Sequence, residues 1–158
     1  MIKLLPYLFL LSPLVAQVKI NRTIEIGDFL KAIAKVESNC DDEAVGDKGK
    51  SIGRYQIQEA YWKDAVEHDK SLKQGNYKWE DVKIEKYATS IVLAYFDRYA
   101  AEAVKNKDWE TLARLHNGGP STLKKKPSKK LWNNTTIYWN KVKKELGIED
   151  PPADKQVD

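Results

Sequence analysis

AKVESNCDDEAVGDKGKSIGRYQIQEAYWKDA, residues 34–65, decides how the chain reads. Its first residues close an amphipathic run. Upstream of them Ile26, Phe29, Leu30, Ile33, Ala34 and Val36 recur at helical spacing. Asp28 is the expected N-cap of that helix, and Asn39, Asp41 and Asp42 offer turn chemistry where it stops. Residues 44–57 change character, with three Gly and a Ser among Val45, Ile52, Tyr55 and Ile57. That pattern predicts a short glycine-rich hairpin or irregular sheet. A second helix is expected over Glu59–Glu67, with Tyr61, Trp62, Ala65 and Val66 turned inward. Glu37 is then left at the end of the first helix, facing the β excursion.

Working outward, the longest apolar periodicity runs from Ile84 to about Lys105, through Tyr87, Ile91, Leu93, Ala94, Tyr95, Tyr99 and Val104. It predicts a central buried helix. Asp108 caps a shorter helix, Trp109–His116, which Gly118, Gly119 and Pro120 end. A last helix is expected from about Lys129 to Leu146, presenting Trp132, Ile137, Trp139, Val142 and Leu146. Trp62, Trp109, Trp132 and Trp139 read mostly as core. The fold class is therefore α+β and mostly helical, with a small β-hairpin between the first two helices. One domain spans residues 24–146, and the tail 147–158 has the composition of a disordered segment. MIKLLPYLFLLSPLVA, residues 1–16, reads as a secretory signal peptide, which predicts an extracellular protein. Its apolar run is short and broken by Pro13, so no stable membrane insertion is expected once it is removed.

Composition narrows the function classes. The chain has 158 residues, of which 42% are hydrophobic and 32% charged, so it is neither disordered nor fibrous. A single Cys forbids an internal disulfide and a Cys-rich metal site. There is no glycine-rich phosphate loop, and no metal or organic cofactor is implied. Net charge is +4, but unevenly held. Residues 124–144 carry eight Lys and no acid, against −5 for the rest of the chain beyond residue 16. Such a strip suits an anionic partner such as a bacterial wall, or is simply a solvated face. Nucleic acid is disfavoured, since basic and aromatic residues do not interleave on a recognisable binding module.

Glycoside cleavage needs a proton donor to the leaving oxygen and a second carboxylate for the charge at the sugar carbon. A carboxyl at a helix end, walled by groups such as Tyr55, Tyr61 and Trp62, keeps its proton by desolvation. Glu37 fits; its plain alternative is an ion pair with Lys31 or Lys35. AKVESNC (34–40), AVGDKGKSIGRYQIQEAYWKDA (44–65) and ARLHNGGP (113–120) together resemble the invertebrate-type, destabilase-like lysozymes. The order and spacing hold over roughly residues 26–143. The resemblance implies a lysozyme-like fold and a muramidase that cleaves β-1,4 bonds of peptidoglycan. Glu37 matches the family's acid and Asp47 its second carboxylate. Asp41, Asp42 and Glu43 are rivals for the second role, but they sit in the turn. Ser51, Tyr55 and Gln56 are expected on the strand flooring the cleft, as substrate-binding groups. His116 and Asn117 match the turn beside it. The resemblance also carries an isopeptidase possibility, with Ser51 and His116 as its carriers. Two other readings stay open: a lytic transglycosylase, which needs only one acid, and a non-catalytic glycan-binding protein on the same fold.

Overall fold

The computed structural model describes residues 23–149. The proposed signal peptide lies outside them, as does the tail beyond residue 149. Helix α1 spans Ile26–Ser38 and buries Phe29, Leu30, Ala32, Ile33 and Ala34. Its N-cap is Glu25, not Asp28. Asp28 sits three residues further in, where its carboxylate accepts the Glu25 backbone N–H at 3.1 Å. Asn39 and Cys40 both take left-handed backbone, and the Cys40 N–H bonds back to the Ala34 carbonyl at 3.0 Å. This motif satisfies the orphan carbonyls and turns the chain sharply just after Glu37.

The β excursion is a three-stranded antiparallel meander of two-residue strands: β1 Val45–Gly46, β2 Ser51–Ile52 and β3 Ile57–Gln58. Ser51 pairs with Gly46 on one side and Gln58 on the other. Tyr55 and Gln56 therefore lie in the turn between β2 and β3, not on a strand as expected. Strands this short hold little alone, so side chains pin the loops. The Ser38 hydroxyl donates to the Arg54 carbonyl at 2.9 Å, tying the end of α1 to the turn. Arg54 forks onto Asp42, at 2.6 and 3.1 Å, and also pairs with Glu85. Gly53 has φ +74°, and a Cβ there would stand 2.7 Å from the Val82 carbonyl oxygen. No larger residue fits without a shift.

Helix α2 covers Glu59–His68, α3 Glu85–Lys105, α4 Trp109–Gly118 and α5 Lys129–Glu145. α3 is the central element, burying Tyr87, Ala88, Ile91, Val92, Ala94, Tyr95 and Phe96. Phe29 of α1 stacks on Trp109 of α4 at 4.9 Å and tilts against Phe96 of α3 at 6.2 Å, where three helices meet. Leu93 departs from the expected buried face: two positions past Ile91, it points outward. Ile137 and Trp132 of α5 are also exposed. Trp132 is the exception among the tryptophans, with the Arg114 guanidinium stacked over its ring at 3.8 Å.

Arg114 sets how α5 sits on α4. It is almost fully buried. Its Nε and Nη2 donate to Glu110 at 2.8 and 2.6 Å, and Nη1 donates to the Thr135 and Thr136 hydroxyls at 3.1 and 3.0 Å. Gly118 permits the same close approach, since a Cβ there would stand within 2.6–2.9 Å of Thr122, Thr135 and Leu131. Beyond α5 the chain stays packed as far as Ile148, which rests against the core.

Candidate active site

α1, the β1–β2 turn, α2 and the end of α4 enclose one cavity of about 350 Å³. Glu37, Asp47, Ser51, Gln56, His116 and Asn117 line it, together with Gln58, Tyr61, Asp64 and Tyr95. Six of the seven residues singled out from sequence thus share one concavity. Tyr55 does not: its side chain is buried in the core, with its hydroxyl 3.1 Å from that of Thr89. It meets the site through its backbone carbonyl, described below.

Glu37 sits in the last turn of α1 with its side chain 17% exposed. It makes no ion pair with Lys35, which turns to Asn39 instead. Burial pushes its pKa up to about 7; nearby Asp47 adds to that, while Tyr138 and Lys141 oppose it. The aromatic wall is only in part the one expected. Trp62 is turned away, its indole N–H donating to the Tyr87 hydroxyl at 2.8 Å. Tyr61 stands beside Glu37 as expected, and Tyr138 joins it.

His116 completes the enclosure. Nε2 lies 3.1 Å from the Tyr55 carbonyl, which can only accept, so Nε2 carries the hydrogen. Nδ1 is then the acceptor for the Tyr61 hydroxyl at 3.2 Å. The Glu37 carboxyl is 3.6 Å from Nε2. This is not an ion pair near neutral pH, because burial pushes the imidazole pKa down to about 4. Between about pH 4 and 7 a neutral His and a protonated Glu face each other, each held neutral by the same dry surroundings.

Asp47 is held differently. It opens the single turn Asp47–Gly49 between β1 and β2, with φ +49°, and Lys48 follows at +57°. Asp is among the few non-glycine residues that tolerate this conformation. The Ser51 hydroxyl donates to its carboxylate at 2.8 Å, and Gln58 donates to that hydroxyl at 3.3 Å. The Gln56 amide is spent on the loop itself, donating to the Gly53 carbonyl at 2.9 Å. Asn117 makes no side-chain hydrogen bond among the described residues and is free to meet a ligand. The rival carboxylates are engaged elsewhere: Asp42 with Arg54, Glu43 with Lys83, and Asp41 with the Glu43 backbone N–H.

Chemically, the cavity sets a carboxyl that keeps its proton near neutrality beside a carboxylate oriented by a hydroxyl. Gln58, Asp64, Tyr95 and Tyr138 were not found from sequence. Gln58, three residues before the Tyr61-Trp62 pair, was within reach of strand alternation; Tyr138 lies 101 positions from Glu37 and left no local signal. Among the described residues no group of His, Cys, Asp and Glu is arranged to hold a metal ion. No helix among them is long and apolar enough to cross a membrane.

The destabilase family model matches residues 27–144. A lysozyme of Meretrix lusoria is 36% identical over 121 residues, covering 75% of this chain and 88% of the relative. Invertebrate-type lysozyme 6 of Caenorhabditis elegans is 32% identical over 127 residues, covering 77% and 87%. A lysozyme of Magallana gigas is 32% identical over 117 residues, covering 72% and 74%. No solved structure matches the chain significantly. With the family model spanning nearly all of the helical body and both Glu37 and Asp47, the chain belongs to the destabilase family, among relatives named as lysozymes.

Proposed function

We propose that the protein is a secreted muramidase that hydrolyses β-1,4 bonds between N-acetylmuramic acid and N-acetylglucosamine in bacterial peptidoglycan. One observation carries the reading: Glu37, with a pKa near 7, opens into the same cavity as Asp47. Glu37 gives its proton to the glycosidic oxygen as the bond from the sugar carbon breaks, and the bonding pair leaves with that oxygen. Asp47 meets the positive charge at the sugar carbon, as nucleophile or as stabilising anion. Water then adds to that carbon and returns a proton to Glu37. Ser51 keeps the Asp47 carboxylate aimed. Asn117 is placed to bind a sugar hydroxyl or N-acetyl group. His116, with both ring nitrogens engaged, forms wall rather than ligand.

An isopeptidase pair of Ser51 and His116 finds no support in the hydrogen bonding. Ser51 bonds to Asp47 and Gln58, and His116 to Tyr61 and Tyr55. The test is digestion of purified peptidoglycan with product analysis, wild type against Glu37→Gln. The amide is nearly isosteric and cannot donate a proton of the right acidity, so at least about 10²-fold of the rate should go. Reducing ends without anhydro sugars support hydrolysis, and anhydro ends transfer the reading to a lytic transglycosylase. Retention of more than about a third of the rate would move the acid role off Glu37, and no digestion by the wild type would leave a glycan-binding protein.

A further inference from the structure

The Tyr138 hydroxyl is the buried side-chain polar atom that lacks a hydrogen-bond partner of good geometry among the described residues. A stranded hydroxyl is costly, and the rest of the molecule is careful to satisfy such groups. Its ring stands 6.4 Å from that of His116. The group it interacts with is the Glu37 carboxyl. The placement is built: α5, which carries Tyr138, is keyed to α4 by Arg114 and by the close approach at Gly118.

We infer that Tyr138 is a positioning residue for Glu37, its hydroxyl standing beside the carboxyl without a well-formed hydrogen bond and donating to the carboxylate that Glu37 becomes after giving up its proton. The inference rests on the reading of Glu37 as the acid. Below about pH 7 the resting Glu37 is protonated and needs no donor. Once the proton has passed to the glycosidic oxygen, the charge left behind is buried and has few donors at hand. From α4, the His116 Nε2 hydrogen is already given to the Tyr55 carbonyl. From α2, the Tyr61 hydroxyl is given to His116. From the β1–β2 turn, Asp47 repels it, and from α5 itself Lys141 helps only through its charge. Tyr138 is the neutral donor that α5 brings to Glu37, and it keeps its own proton, since burial and Glu37 hold the phenol well above its ordinary value. A bond that strengthens as charge develops favours the transition state over the ground state.

The test compares Tyr138→Phe with protein carrying 3-fluorotyrosine at position 138, a stronger donor of nearly the same shape. Two readouts are taken: the pH profile of kcat on peptidoglycan fragments, and the Glu37 carboxyl titration by NMR. Removing the hydroxyl withdraws support from the charged form, so the Glu37 midpoint and the alkaline limb should both rise, by about one pH unit. kcat at the optimum should fall about tenfold with KM within about twofold, and thermal stability should not fall. Fluorination should move the midpoint the opposite way. If neither replacement moves the Glu37 titration, the inference is wrong, whatever the activity does. If the titration moves as stated but Glu37→Gln still digests peptidoglycan, Tyr138 governs Glu37 and the muramidase reading is what fails.

Discussion

Two carboxylates of the cavity, Glu37 and Asp47, are held by opposite means. Glu37 sits on the last turn of a thirteen-residue helix, ordinary in backbone and unusual in surroundings. Asp47 sits on a three-residue turn between two-residue strands, unusual in backbone and ordinary in hydrogen bonding. One residue gets its character from what covers it, the other from where the chain is forced to put it. The difference predicts that the two sites break differently: Glu37 responds to changes in packing and pH, Asp47 to changes in the loop.

The largest expected effect isolates charge at the turn. Asp47→Asn keeps a residue that tolerates positive φ, so the loop should survive while the carboxylate is lost. Peptidoglycan digestion should fall about 10²-fold or more. Asp41→Asn and Asp42→Asn should leave most of it. A fully active Asp47→Asn would move the second role elsewhere or point to transglycosylation.

Next comes the effect of pH on stability at the helix end. Glu37 binds its proton more tightly folded than unfolded, so between about pH 4.5 and 7 it makes the protein less stable as pH rises. His116 has the opposite sense: its pKa is lowered from 6.5 to about 4, so it costs stability as pH falls through that interval. Each is worth roughly 3 kcal/mol, and in the wild type they offset one another between about pH 4.5 and 6.5. Glu37→Gln should therefore gain stability over wild type as pH rises to 7, by roughly 3 kcal/mol relative to the difference at pH 4.5. Urea melts at several pH values measure this, and a pH-independent difference would show Glu37 to be ordinary.

Loop rigidity gives a smaller number. Gly53→Ala must fit a Cβ against the Val82 carbonyl at positive φ, and should cost about 2 kcal/mol in a urea melt. A neutral result would mean the loop is looser than its hydrogen bonds imply.

How far each region could be read from sequence follows the same division. The helices were legible because periodicity and caps are local: Phe29 and Ile33 face inward, Asp108 caps α4, and Asn39 ends α1 as expected. Glu37 was legible because a helix end is a fixed place. The β segment was read as hairpin-like, yet left-handed backbone at Asp47, Lys48 and Gln56, none of them Gly, carries no compositional signal. That is why Tyr55 and Gln56 were placed on a strand. The enclosure of Glu37 was legible only in part. Tyr61 was expected in its wall, but Tyr138 arrives through the docking of α5, which Arg114 directs by contacts 21 and 22 positions away. Arg114 itself reads from sequence as one more surface cation.

The smallest effect lies outside both regions. Exchanging Lys124, Lys125, Lys126, Lys129 and Lys130 for Gln should weaken lysis of whole cells at low salt several-fold, since attraction to an anionic wall is screened over roughly 8 Å at physiological salt. Hydrolysis of a short neutral chitin oligomer should hardly change. Equal loss on both substrates would return the strip to a solvated surface.

The account stands most directly on the proton of Glu37. Its side-chain carboxyl can be followed by carbon NMR through a pH titration of the folded protein, with Glu37→Gln to identify the signal. The account predicts a midpoint near 7; a midpoint near the ordinary 4.5 would contradict it, because Glu37 would then be ionised where a general acid must hold its proton.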